Sequence, residues 1–180
     1  DPAVLRQVLD AAPGAVATMT LAPETAHFDD LLAVLAEHGV VPSLGHTDAT
    51  AAATTAAVRA ARAVTGERLS ATHLFNAMPP LHHRAPGPVA ACLAAAARGE
   101  MVVELVADGV HLADDTVATV FDLVGPGRIA LVTDAMAAAG MPDGDYSLGS
   151  MPVAVRAGVA RLSTPDGPGA IAGGTAHMID

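Results

Sequence analysis

The sequence predicts a parallel α/β architecture of about five strands, with an accessory β-hairpin near the C-terminus. Three observations predict it. Short apolar, β-branched runs alternate with helical patterns of ten or more residues; glycines fall where those helices should stop; and polar residues of catalytic type follow the apolar runs.

The chain starts with Asp1 rather than Met and opens directly on a helical pattern, DPAVLRQVLDAA, with no strand before it, as expected of a fragment. The first strand is VATMTL, Val16 to Leu21, closed by the turn at Ala22-Pro23-Glu24 and followed by the helix FDDLLAVLAEHG. VVPSL then leads to GHTD and a long Ala-rich helix reaching about Val64. SATHLF leads to a Pro/His loop and the helix VAACLAAAARG; MVVELVA leads to DGVH and the helix DDTVATVFDLVG; RIALVT leads to DAM. Gly39, Gly99 and Gly125 sit where C-caps are expected. Past Met136 the alternation around Arg156-Ala157-Gly158 predicts the hairpin, and IAGGTAHMID reads as the start of another helix.

Composition narrows the function. A chain of 180 residues that is 52% hydrophobic can bury a sizeable core. Its net charge of -10 excludes a general attraction to nucleic acid or to an anionic membrane. No apolar run approaches the roughly 18 residues that span a bilayer, and no basic-then-apolar leader opens the chain. Cys92 is the lone cysteine, so no intrachain disulfide forms, which fits a reducing compartment. The expectation is a cytoplasmic protein acting on small molecules.

His46, His73, His111 and Asp134 all lie at or just past the C-terminal end of a predicted strand. In a parallel barrel or open sheet the chemistry sits at that edge. His46 and His73 on neighbouring strands are candidate metal ligands, since neutral imidazoles suit zinc and a catalytic zinc keeps a place for water. Asp134 alone reads as a helix N-cap. Beside a metal it is placed to take a proton from the attacking water and deliver it to a leaving amine. His111, in DGVH, is a candidate for substrate binding or for a further ligand, with Asp108 bracing the turn. In NAMPPLHHRAPG, Arg84 offers a bidentate fork to phosphate or carboxylate, or is a solvated loop residue. His82 and His83 are set aside as exposed, and Glu24 is assigned a structural role at its Pro-containing turn.

The ordered series TLAPE, GHTDA, THLFNAM followed by R-x-PG, DGVH and TDAM resembles the N-acetylglucosamine-6-phosphate deacetylases along nearly the whole chain. THLFNAM is the most specific of these runs. The resemblance implies part of a TIM-like (β/α) barrel of the metal-dependent amidohydrolase type. It implies His46 and His73 as ligands of a divalent ion, most simply zinc, with iron, manganese or cobalt as alternatives. It gives Asp134 the acid/base role and His111 a substrate contact. Asn76 and Ala77 match positions that hold the sugar phosphate, and Arg84 matches an arginine that reaches it across a homodimer interface.

The family's remaining ligand, a Glu in an H-x-EGP motif, and a following His that polarises the substrate carbonyl have no counterpart in this sequence. A complete barrel has eight strands and about 250 residues. The expectation is therefore a single segment, residues 1–180, from the C-terminal part of the catalytic barrel, with a hairpin insertion at about 145–163 and with the upstream strands and small β-domain absent. The implied reaction is hydrolysis of the acetamide of N-acetylglucosamine 6-phosphate to glucosamine 6-phosphate and acetate. The alternatives are an amidohydrolase acting on a cyclic amide, or a non-catalytic fragment with an incomplete metal site.

Overall fold

The fold was obtained as a computed structural model and is described for residues 1–66 and 68–176. It contains two sheets. Strands β1 (Thr18–Leu21), β2 (Val41–Leu44), β3 (Ser70–Ala71), β4 (Val102–Leu105) and β5 (Ile129–Leu131) form one sheet in sequential order. β1 to β4 pair in parallel, with Leu21 opposite Leu44 and Leu44 opposite Ala71. Sequential order in a parallel sheet is the arrangement a (β/α) barrel requires, each helix returning the chain to start the neighbouring strand. Strands β6 (Gly144–Leu148), β7 (Met151–Arg156), β8 (Val159–Thr164) and β9 (Gly167–Ile171) form an antiparallel sheet. The expected hairpin is thus half of a four-stranded sheet. Its outer strands are rich in Gly, Ser and Pro, which gave the sequence no apolar alternation to read there.

The helices are α1 (Pro2–Ala11), α2 (Phe28–Glu37), α3 (Ala51–Thr65), α4 (Gly87–Ala97) and α5 (Asp114–Val124). Local chemistry starts several of them. Asp1 Oδ1 accepts the N–H of Ala3 at 2.8 Å with Pro2 in the first turn, and Thr50 Oγ1 accepts the N–H of Ala53 at 3.2 Å. Gly39, Gly99 and Gly125 all have positive φ, as expected at helix ends. The strand predicted at SATHLF is shorter than its apolar run, because the chain turns at Thr72. The helix predicted for the closing segment falls partly on residues 177–180, outside the described residues, and its earlier part is strand β9 and a bridge at Gly174.

The chain divides into two compact units, Asp1–Glu104 with Val120–Ala130, and Leu105–Thr119 with Leu131–Asp180. In the first, Leu32, Leu35, Leu44, Val89, Met101 and Val103 are fully buried, and the alanines of α3 and α4 let those helices approach closely. In the second, Met136, Ala138, Val153, Val155 and Ala160 form the core. No described helix is long and apolar enough to cross a membrane.

Cys92 lies inside α4 with no exposed surface, and burial pushes its thiol up to about 12. A folded sample should therefore leave a thiol reagent unreacted at neutral pH until denaturant is added. Rapid labelling in native buffer would contradict this packing.

Candidate active site

In the first unit the ends of β2 and β3 carry the residues of interest. The chain leaves β2 through Gly45, where a Cβ would lie 2.9 Å from Thr72 Cβ and 3.1 Å from the Thr20 methyl. Only glycine fits against this layer of hydroxyls, in which Thr72 Oγ1 meets Ser43 Oγ at 2.6 Å and Thr20 Oγ1 at 2.8 Å. Beyond it, His46 turns into the left-handed region at φ 48°, and after β3 His73 does the same at φ 29°.

The two imidazoles meet. Nε2 of His46 and Nε2 of His73 are 2.9 Å apart, with the rings edge to face. His73 is buried and its Nδ1 has no hydrogen-bond partner, whereas His46 is exposed. Two nitrogens on a tetrahedral zinc would sit about 3.3 Å apart, from Zn–N bonds of about 2.05 Å. The pair therefore fits as two of the ligands of a divalent ion. Among the described residues no group of three or more His, Cys, Asp or Glu is gathered at ligand spacing.

The backbone around this pair is strained. Among the described residues seven non-glycine residues have positive φ, and four of them, His46, His73, Phe75 and Ala77, lie on the pair's own turns, in motifs singled out from the sequence. Such conformations cost roughly 1–3 kcal/mol each and persist only where surrounding structure imposes them. The restraints are visible. Thr47 N–H donates to Ala77 O at 3.1 Å, which ties the His46 turn to the Asn76-Ala77 turn, and the N–H and Nδ2 of Asn76 both donate to His73 O, at 3.0 and 3.1 Å. His73 N–H donates to Glu104 Oε2 at 3.2 Å.

Glu24 holds the same turn from β1. Its Oε2 accepts Thr47 Oγ1 at 2.5 Å and its Oε1 accepts Asp48 N–H at 2.9 Å. Burial pushes the Glu24 carboxyl up, but the bonds from Thr47 and Asp48 outweigh it and hold the group below the ordinary carboxylate range. Both oxygens are thus engaged in bracing the His46 turn. Glu24 and Glu104 are contributors that sequence reading passed over or left in general terms, since their role shows only as contacts to neighbouring strands. Arg84 stands exposed in its loop, with Nη1 2.7 Å from His83 Nε2.

In the second unit Asp108 and His111 are in contact, with Asp108 Oδ2 2.7 Å from His111 Nδ1. Asp134 is exposed at φ 50°, three residues beyond β5. Its turn is fixed by Gly174, whose N–H donates to Asp134 O at 2.7 Å and whose O accepts Met136 N–H at 3.0 Å. A Cβ at Gly174 would lie 1.9 Å from Thr133 O, so the approach is open to glycine alone. Asp134 caps none of the described helices; the segment after it contains a turn and then β6.

No family model matches the chain. Curated relatives do. The N-acetylglucosamine-6-phosphate deacetylase of Bacillus subtilis (strain 168) is 38% identical over 152 residues, which is 84% of this chain and 36% of that protein. The N-acetylgalactosamine-6-phosphate deacetylase of Escherichia coli O157:H7 is 35% identical over 173 residues, 96% of this chain and 42% of that protein. Among solved structures, the N-acetyl-D-glucosamine-6-phosphate deacetylase of Mycobacterium smegmatis matches with a TM-score of 0.87 and 43% identity, covering 99% of this chain and 44% of that one. That relative was captured as an Asp-to-Ala mutant in complex with N-acetyl-D-glucosamine-6-phosphate. The chain spans 36% and 37% of the length of the first two curated relatives it matches.

Proposed function

This chain is a homologue of the N-acetylglucosamine-6-phosphate deacetylases, and on that premise we propose that the protein carrying it hydrolyses the acetamide of N-acetylglucosamine 6-phosphate to acetate and glucosamine 6-phosphate. The observation that carries the reading is the convergence of His46 and His73 through Nε2 at 2.9 Å, on strained turns tied to Asn76 and Ala77. A reading as a cyclic-amide hydrolase finds no support among the relatives.

In this reading His46 and His73 would hold a divalent ion, which we take to be zinc; when bound it would supply Lewis-acid polarisation of the amide carbonyl and of the attacking water. The protein's own groups do the rest. The Asp134 carboxylate accepts a proton from the water and returns it to the amine nitrogen as the C–N bond breaks, a transfer that suits an exposed carboxylate. The phosphate is held by the Asn76-Ala77 turn and by the guanidinium of Arg84, whose exposure in a loop suits delivery into a partner subunit of a homodimer. His111 contacts the sugar. We place these residues in the C-terminal part of a catalytic barrel, with the further strands and ligand supplied by sequence outside this chain, in a cytoplasmic enzyme.

The test is acetate release from N-acetylglucosamine 6-phosphate, compared with the same sugar lacking the phosphate and with N-acetylgalactosamine 6-phosphate. The expected result is turnover of the first substrate, with kcat/KM lowered by roughly 10- to 100-fold or more when the phosphate is removed or Arg84 is replaced by Ala, the size of a lost charge-assisted contact. Preference for the galacto epimer would move the assignment to that substrate, which one relative uses by name. Equal rates with and without phosphate would remove the sugar-phosphate reading.

A further inference from the structure

Asp108 and His111 form the most enclosed carboxylate–imidazole contact among the described residues, with side chains 9% and 4% exposed. Three donors converge on one carboxylate. Asp108 Oδ1 accepts the N–H of Val110 at 2.9 Å and the N–H of His111 at 2.8 Å, while Oδ2 faces His111 Nδ1 at 2.7 Å. Burial pushes the Asp108 carboxyl up, but the two backbone N–H groups and the imidazole outweigh it and hold the group below the ordinary carboxylate range.

An ionised carboxylate only accepts hydrogen bonds. The hydrogen in the 2.7 Å contact must therefore sit on Nδ1 of His111. A neutral imidazole carries one N–H, so the other nitrogen, Nε2, is left as a lone-pair acceptor. Among the described residues Nε2 has no hydrogen-bond partner, and the rest of the ring is enclosed. A ring locked in this form receives a hydrogen bond from a hydroxyl and refuses one from a phosphate or carbonyl oxygen, which has nothing to donate.

We propose that Asp108 is a positioning residue that holds His111 in its Nδ1–H form, presenting Nε2 as the acceptor for a sugar hydroxyl of the substrate. The owner of the hydroxyl rests on the deacetylase reading; the state of the ring does not. The proposal separates the work of the site. Arg84, Asn76 and Ala77 serve the phosphate, and His111 reads the sugar ring.

The first readout is the ¹⁵N spectrum of the histidine side chains of the intact enzyme that carries this segment, with His111 assigned by its loss in His111→Gln. In buffer about two pH units above the ordinary imidazole value near 6.5, the expected result is a ring protonated on Nδ1. Protonation on Nε2 there would overturn the proposal whether or not any variant folds. Asp108→Asn keeps an oxygen for the two backbone N–H groups but turns an amide donor toward Nδ1, so His111 should switch to the Nε2–H form. An unchanged ring in that variant would show that Asp108 does not control it.

Addition of N-acetylglucosamine 6-phosphate should then shift the Nε2 signal, with the binding constant weakened roughly 10- to 100-fold in Asp108→Asn, as expected when a buried polar contact loses its partner. An unmoved Nε2 signal at saturating ligand would remove the hydroxyl contact. A ring in the stated form together with no acetate release from the intact enzyme would remove the deacetylase reading and leave the control of His111 by Asp108 standing.

Discussion

Replacement of Asp134 by Asn in the enzyme that carries this segment is expected to lower kcat by about 10²- to 10⁴-fold, the usual contribution of a positioned acid/base. Metal content should stay as in the parent. Asn is the informative choice because Asp134 sits at φ 50°, in a left-handed conformation that Asn adopts more readily than most residues. Alanine at the same position would add backbone strain to the loss of the carboxylate. The Gly174 bond to the Asp134 carbonyl uses no side-chain atom and should survive, so the melting temperature should move by no more than a few degrees. Acetate release near the parent rate would take Asp134 out of the proton-transfer role.

The second large effect is expected at the imidazole pair. Loss of either His46 or His73 should weaken zinc binding by at least about 100-fold, beyond the 10- to 100-fold typical of groups that only support a ligand. Zinc titration against a competing chelator measures it. The two positions differ in their stability cost. His73 is 7% exposed, and His73→Ala leaves a cavity, whereas His46 is exposed and His46→Asn also suits its left-handed backbone. His46→Asn thus isolates ligand loss from folding. Zinc affinity unchanged in both variants would mean that the 2.9 Å contact is a hydrogen bond between two imidazoles and nothing more.

The contrast between these residues and their surroundings bears on what could be read in advance. The periodicity of VVPSL and MVVELVA marks strands β2 and β4, and the Ala-rich run marks α3, because burial on one face or both leaves a repeating apolar record. The outer strands of the second sheet, GDYSL and GPGAI, alternate only between half-buried and exposed positions. Their membership rests on backbone pairing with β7 and β8, which any residue type can supply.

For the candidate residues, placement after strand ends was legible, since His46, His73, His111 and Asp134 each stand beyond an apolar run. Their conformations were not. A non-glycine residue at positive φ has no local signature, and those at His46, His73 and Ala77 are held by bonds between segments about 30 residues apart, such as Thr47 N–H to Ala77 O. The same is true of Glu24 and Glu104, whose roles are contacts made across neighbouring strands.

By itself the sequence determined the alternation of strands and helices, the placement of the polar residues after strand ends and the family the motifs resemble. Only the tertiary structure decided that two imidazoles face each other through Nε2, that Glu24 is a brace, and that the Asp108 carboxylate meets Nδ1 of His111. The reason is physical. Burial and capping act within a few residues and are written along the chain, whereas hydrogen-bond geometry and protonation depend on groups that folding brings together.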